Sequence, residues 1–79
     1  MKTITRKQYQ HLQSFYFAMY CHYIEGINTN FGHWANLLDD RGISWTIQNN
    51  VAQWAETKEL NEYYLSTLLK NKLNVIIEG

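Results

Sequence analysis

The amino-acid sequence predicts a mainly α fold, a compact four-helix domain with a helix-turn-helix core, winged or wingless, and a short C-terminal strand. Three observations carry that expectation. Apolar residues recur at spacings of three and four along most of the chain. Proline is absent and only 4 of the 79 residues are glycine, which favours regular structure over long loops. Cap-forming residues stand just ahead of the periodic segments. At 46% hydrophobic and 15% aromatic the chain is too apolar for disorder. Residues 1–79 are expected to form one domain, which at this length buries about 60 to 65% of the surface its unfolded form exposes.

Residues 1–4, "MKTI", form a short extended arm. Thr5 and Gln8 then supply a capping box, in which each side chain satisfies the other's backbone N–H, so the first helix starts there. Along it Tyr9, Leu12, Tyr16, Met19 and Tyr23 make an apolar seam. Phe15, Phe17, Tyr20, Cys21 and Ile24 widen that seam until residues 15–24 are apolar nearly all round, so this helix is either the central element or meets a second protein. Glu25-Gly26 ends it. "NTN" at 28–30 offers turn and cap chemistry before Phe31, Trp34, Leu37 and Leu38, a second helix running to about Asp40.

Gly42 is the expected turn residue and Ser44 the expected cap of a third helix over 45–56. Thr57 is the next cap, and Leu60, Tyr64, Leu65, Leu68 and Leu69 mark a fourth helix that stops before Asn74. "VII" at 75–77 reads as a short strand whose natural partner is the N-terminal arm.

Seven basic and seven acidic side chains cancel, so whole-molecule charge gives no drive toward nucleic acid and any such site is local. The single Cys21 has no internal disulfide partner, which fits a reducing cytoplasm. No terminal segment has the pattern of a signal peptide, and "FYFAMYCHYI" is about half the length a bilayer span needs.

On a helical wheel the 45–56 segment places Ile47, Val51, Trp54 and Ala55 on one face and Trp45, Asn49, Gln53 and Glu56 on the other. Beside Trp45, the amides of Gln48, Asn49 and Gln53 suit paired hydrogen bonds to base edges, and an exposed indole stacks on an unpaired base. The competing arrangement folds Trp45 back onto a neighbouring helix and leaves the amides as ordinary solvated surface. Arg41, Lys58, Lys70 and Lys72 are the candidate phosphate contacts.

Two registers are open for the helix-turn-helix. In one, "LLDDRGIS" contains the turn and the segment from Trp45 is the recognition helix. In the other, "NNVAQWAE" supports, "TKELN" turns, and "EYYLSTLLKNKL" is the recognition helix, followed by "NVIIEG" as a wing strand and bringing Lys58, Tyr63, Lys70 and Lys72 together. Lysines near a helix end also have a plain explanation in the helix dipole.

No motif for catalysis, a cofactor or a metal is present. His11 and His22 lie about three helical turns apart, roughly 16 Å, too far to share an ion. Adjacent Asp39 and Asp40 point in different directions and do not make a paired carboxylate site. Cys21 beside His22 is no dyad, and in its apolar setting the thiol reads as a buried small hydrophobe. Tyr9, Tyr16, Tyr20 and Tyr23 are amphipathic side chains of the kind found at protein interfaces, so a protein partner or a homodimer is expected along that helix.

The segment "LLDDRGISWTIQNNVAQWAE", residues 37–56, resembles the small winged-helix-like accessory proteins encoded next to polymerase and helicase genes in staphylococcal cassette mobile elements. The resemblance covers about a quarter of the chain. It implies an accessory subunit that binds a polymerase and single-stranded DNA. The expectation is therefore a small non-enzymatic binding subunit in the DNA transactions of a mobile element, cytoplasmic and without a cofactor. A phage-type inhibitor that blocks a host defence or replication enzyme is the alternative.

Overall fold

Thr5 sets the start of the first helix. In the computed structural model, which describes residues 2–35, 41–58 and 65–78 and leaves the side chains of residues 35 and 41 undescribed, both halves of the expected capping box are formed. Thr5 Oγ1 accepts from the Gln8 N–H at 3.1 Å and Gln8 Oε1 accepts from the Thr5 N–H at 2.8 Å. Before this cap lies β1 (Lys2–Ile4), and after it α1 (Arg6–Tyr23).

Helix α1 ends on its own backbone. The Ile24 N–H bonds the Tyr20 carbonyl at 2.8 Å, Gly26 takes the left-handed conformation at φ +72°, and the Ile27 N–H returns to the Cys21 carbonyl at 2.9 Å. A glycine serves here because a side chain strains that conformation. The following loop is pinned to α1 by Thr29, whose Oγ1 donates to the Ala18 carbonyl at 2.7 Å. Helix α2 (Phe31–Ala35) follows, and its expected extension to Asp40 falls on residues outside those described.

Helix α3 (Arg41–Thr57) begins four residues before the expected start at 45 and ends within one residue of the expected end at 56. Gly42 is not a turn residue but sits in the first helical turn, and among the described residues Gly26 is the glycine with positive φ. Ser44 is not a cap either; it is inside the helix and 9% exposed. Ile43, Ile47 and Val51 repeat every four residues and all three are buried, so the inward stripe draws the helix back past Ser44. At the other end Thr57 closes α3 rather than opening the next helix, donating its hydroxyl to the Gln53 carbonyl at 3.0 Å.

Helix α4 (Leu65–Lys72) buries Leu65, Leu68 and Leu69 and stops before Asn74, which has φ +53°. The expected "VII" strand is β2 (Val75–Ile77), and its partner is the N-terminal arm. The pairing is parallel, Lys2 opposite Val75 and Ile4 opposite Ile77. A wing is an antiparallel hairpin, whereas this ladder joins two segments separated by all four helices.

Helix α1 is the central element. It packs against α2 on one side and α3 on another, while α4 lies on β2. Phe15 at the middle of α1 is 0% exposed and sits among Leu12, Met19, Ile47, Val51 and Leu69, with Ile4 and Val75 of the sheet closing the cluster. A radius of gyration of 11.9 Å matches that of a well-packed chain of this length. Among the described residues no helix is long and apolar enough to cross a membrane.

Candidate functional site

The outer face of α3 is built by the same periodicity that builds its inner one. With Ile43, Ile47 and Val51 held in the core, residues at the opposite phase face outward. Trp45, Asn49 and Gln53 repeat every four residues, all three are exposed, and each step rises about 6 Å along the helix. They form one ridge. The Trp45 indole is 64% exposed, so it does not fold back onto α1 or α2. Gln48 is half-buried at the side of the ridge.

Neighbouring polar groups of α3 are turned to the helix itself. Thr46 Oγ1 donates to the Gly42 carbonyl at 2.8 Å, and the Asn50 amide nitrogen donates to the Thr46 carbonyl at 2.8 Å. These bonds take Thr46 and Asn50 toward the backbone and leave the ridge to Asn49 and Gln53. The ridge is chemically simple: one large aromatic plane followed by two amides, with Glu56 exposed near its far end. Between Gly42 and Thr57 there is no Lys or Arg.

The candidate phosphate contacts are spread over other positions. Arg41 opens α3, four residues before Trp45, and its side chain lies outside the described residues. Lys58 is exposed just beyond α3, with φ +56° and its N–H bonded to the Trp54 carbonyl at 2.7 Å. Lys70 and Lys72 are exposed in the last turn of α4, where they also face the negative end of that helix dipole. The alternative register's turn and its Tyr63 fall on residues 59–64, outside those described.

The tyrosines of α1 are part of the core's rim. Tyr9, Tyr16 and Tyr23 are half-buried and packed against the central cluster. Tyr20, also half-buried, meets Trp54 of α3 with ring centroids 5.5 Å apart. The aromatic that α1 turns outward is Phe17, 67% exposed. The seam read from helical spacing is thus chiefly the surface on which α1 docks its neighbours, whereas Phe17, expected to widen that seam, faces outward.

Cys21 is free and half-buried rather than enclosed in the core. His22 places its Nδ1 away from solvent without a hydrogen-bond partner, its ring edge-on to both Tyr23 and Phe31. Asp39 and Asp40 lie outside the described residues. Among the described residues no three His, Cys, Asp or Glu side chains come together as a metal site would require.

Comparison with known proteins gives no match to any family model, curated protein or solved structure.

Proposed function

We propose that this chain is a small non-catalytic binding subunit that contacts single-stranded nucleic acid through the outer ridge of α3. In this reading α2 and α3 act as a helix-turn-helix-like pair without a wing, and α3 is the contacting helix. The observation that carries the reading is the Trp45 indole, open to solvent at the head of a ridge that continues with Asn49 and Gln53. An exposed indole covers apolar area only when something lies on it, and an unpaired base presents the flat partner it suits. Two amides one and two turns further on can pair with base edges. Gln48 borders the ridge, and Arg41, Lys58, Lys70 and Lys72 serve as phosphate contacts.

A protein partner, a polymerase or another replication protein, docks on the aromatic side of α1, at the outer edges of Tyr9, Tyr16, Tyr20 and Tyr23. The polymerase and the mobile-element setting rest on the resemblance of residues 37–56 and not on geometry.

One observation favours a second reading. The ridge itself carries no cation between Gly42 and Thr57 and has Glu56 near one end. A surface of that kind also suits a protein target, as in an inhibitor that blocks a host defence or replication enzyme with Trp45 as its anchor.

Titration with single- and double-stranded oligonucleotides, followed by tryptophan fluorescence at two salt concentrations, separates the two. The nucleic-acid reading expects single-strand binding that weakens with salt and loses about 1 to 3 kcal/mol in Trp45→Ala. A flat titration at low salt overturns it and leaves the inhibitor reading.

A further inference from the structure

Thr29 and α2 create a second feature, on the side of the molecule where α2 rests on α1. The Thr29 hydroxyl ties the loop to the Ala18 carbonyl at 2.7 Å, and α2 then runs beside α1 with a groove of about 420 Å³ between them. Phe17, Ala18 and Cys21 form one wall; Asn30, His33 and Trp34 form the other. The volume falls within the range of about 300 to 1,000 Å³ usual for small-molecule sites.

The lining decides what fits. Among the described residues that line it there is no Lys, Arg, Asp or Glu, so these walls offer neither a counter-charge for phosphate nor a carboxylate for a cation. The large surfaces are aromatic: Phe17 is mostly exposed and Trp34 is half-buried, with His33 set edge-on to it at 5.3 Å and 72°. A flat ring system gains most from such surfaces. The hydroxyl of Ser14 and the amide of Asn30 add donors and acceptors at the groove's margin. A purely aliphatic ligand leaves these polar groups without partners and the ring faces poorly covered.

We propose that the groove between α1 and α2 takes a flat, uncharged heterocycle with a hydrogen-bonding edge, an unpaired nucleobase, as a second stacking position separate from Trp45. The proposal rests on the single-strand reading of α3 but sits on different residues. Asn30 reads the base edge, as amides do with adenine. Phe17 supplies the stacking face, and phosphates stay outside.

Cys21 makes the test specific, because it is the chain's single cysteine and lines this groove. The rate of its alkylation by iodoacetamide is measured in the full chain with adenosine and with single-stranded oligodeoxyadenylate. Either probe at ten times its dissociation constant leaves about one tenth of grooves empty, so alkylation slows about tenfold. In Phe17→Ala, judged folded by circular dichroism, half-protection needs about fivefold more probe or beyond. Trp45→Ala leaves protection by adenosine unchanged. An oligonucleotide that alters Trp45-dependent fluorescence while Cys21 reacts at its free rate overturns the groove proposal and leaves the α3 reading standing. Protection by adenosine without protection by the strand assigns the groove to a free nucleoside and overturns its place on a strand. No response at Cys21 or at Trp45 overturns both.

Discussion

The Tyr20 and Trp54 rings lie 5.5 Å apart at an interplanar angle of 44° and join α1 directly to α3. Both come from stretches whose sequence spacing marks them as inward or interfacial, yet they meet at the rim of the core, beside an open pocket of about 410 Å³ that Tyr23, Ile24, Ala55 and Lys58 share with Trp54. The contact fixes how the outer ridge of α3 is presented, since rotating α3 about its axis breaks it. A double-mutant cycle of Tyr20→Ala and Trp54→Ala in urea denaturation is expected to give a coupling of about 0.5 to 1.5 kcal/mol. Strictly additive effects contradict a direct ring contact.

Phe15 and Trp45 should respond oppositely to truncation. Phe15 is 0% exposed at the centre of the cluster, so Phe15→Ala is expected to cost about 3 to 5 kcal/mol, a large part of the stability of a chain this size. Trp45 is mostly exposed, and Trp45→Ala is expected to stay within about 0.5 kcal/mol of the parent. Equilibrium urea curves compare the two. A Trp45→Ala loss comparable to that of Phe15→Ala shows the indole to be structural and removes the α3 ridge as a binding surface.

Lys58 occupies a backbone conformation that suits glycine better. At φ +56° its side chain costs about 1 to 2 kcal/mol, partly offset in a glycine by the freer unfolded chain. Lys58→Gly is therefore expected to raise stability by about 0.5 to 1 kcal/mol while keeping the Trp54 carbonyl bond. If Lys58 also touches phosphate, the salt dependence of single-strand binding falls by about 0.7 in log–log slope. An unchanged slope takes Lys58 out of the interface.

His22 carries a buried Nδ1 without a hydrogen-bond partner between Tyr23 and Phe31. An aromatic ring that makes the same edge contacts without that nitrogen removes a desolvation cost, so His22→Phe is expected to stabilise the fold by about 1 kcal/mol. Thermal melts monitored by circular dichroism measure it. A clear loss of stability indicates that the nitrogen has a partner in solution, such as a bound water.

Features that depend on residues close in sequence were legible before the structure was known. The Thr5–Gln8 capping box needs only two side chains three positions apart, and it formed as expected. The inward and outward faces of α3 follow from helical phase, so Ile47 and Val51 are buried and Trp45 is open. Gly42 and Ser44 were misread because their local turn and cap chemistry competes with the burial of Ile43 four residues before Ile47, and tertiary burial prevailed. Thr57 offered a hydroxyl that bonds equally well backward into its own helix. Cys21 and the groove beside it were hidden for a different reason. Whether a residue in an apolar run is enclosed depends on where α2 docks, and α2 is placed by Phe31 packing near Phe15 and by the Thr29 tether across eleven residues.

The parallel sense of β1 and β2 also determines how the protein bears load. Tension transmitted through the chain before Lys2 and after Ile77 pulls the two strands along their axes in opposite directions. The ladder, with Lys2 N–H on the Asn74 carbonyl and Glu78 N–H on the Ile4 carbonyl at its two ends, is then strained in shear, all its bonds together, instead of unzipping one rung at a time. Three residues per strand thereby act as a latch over the helices, and a tug on either neighbouring segment meets this latch before it reaches the core.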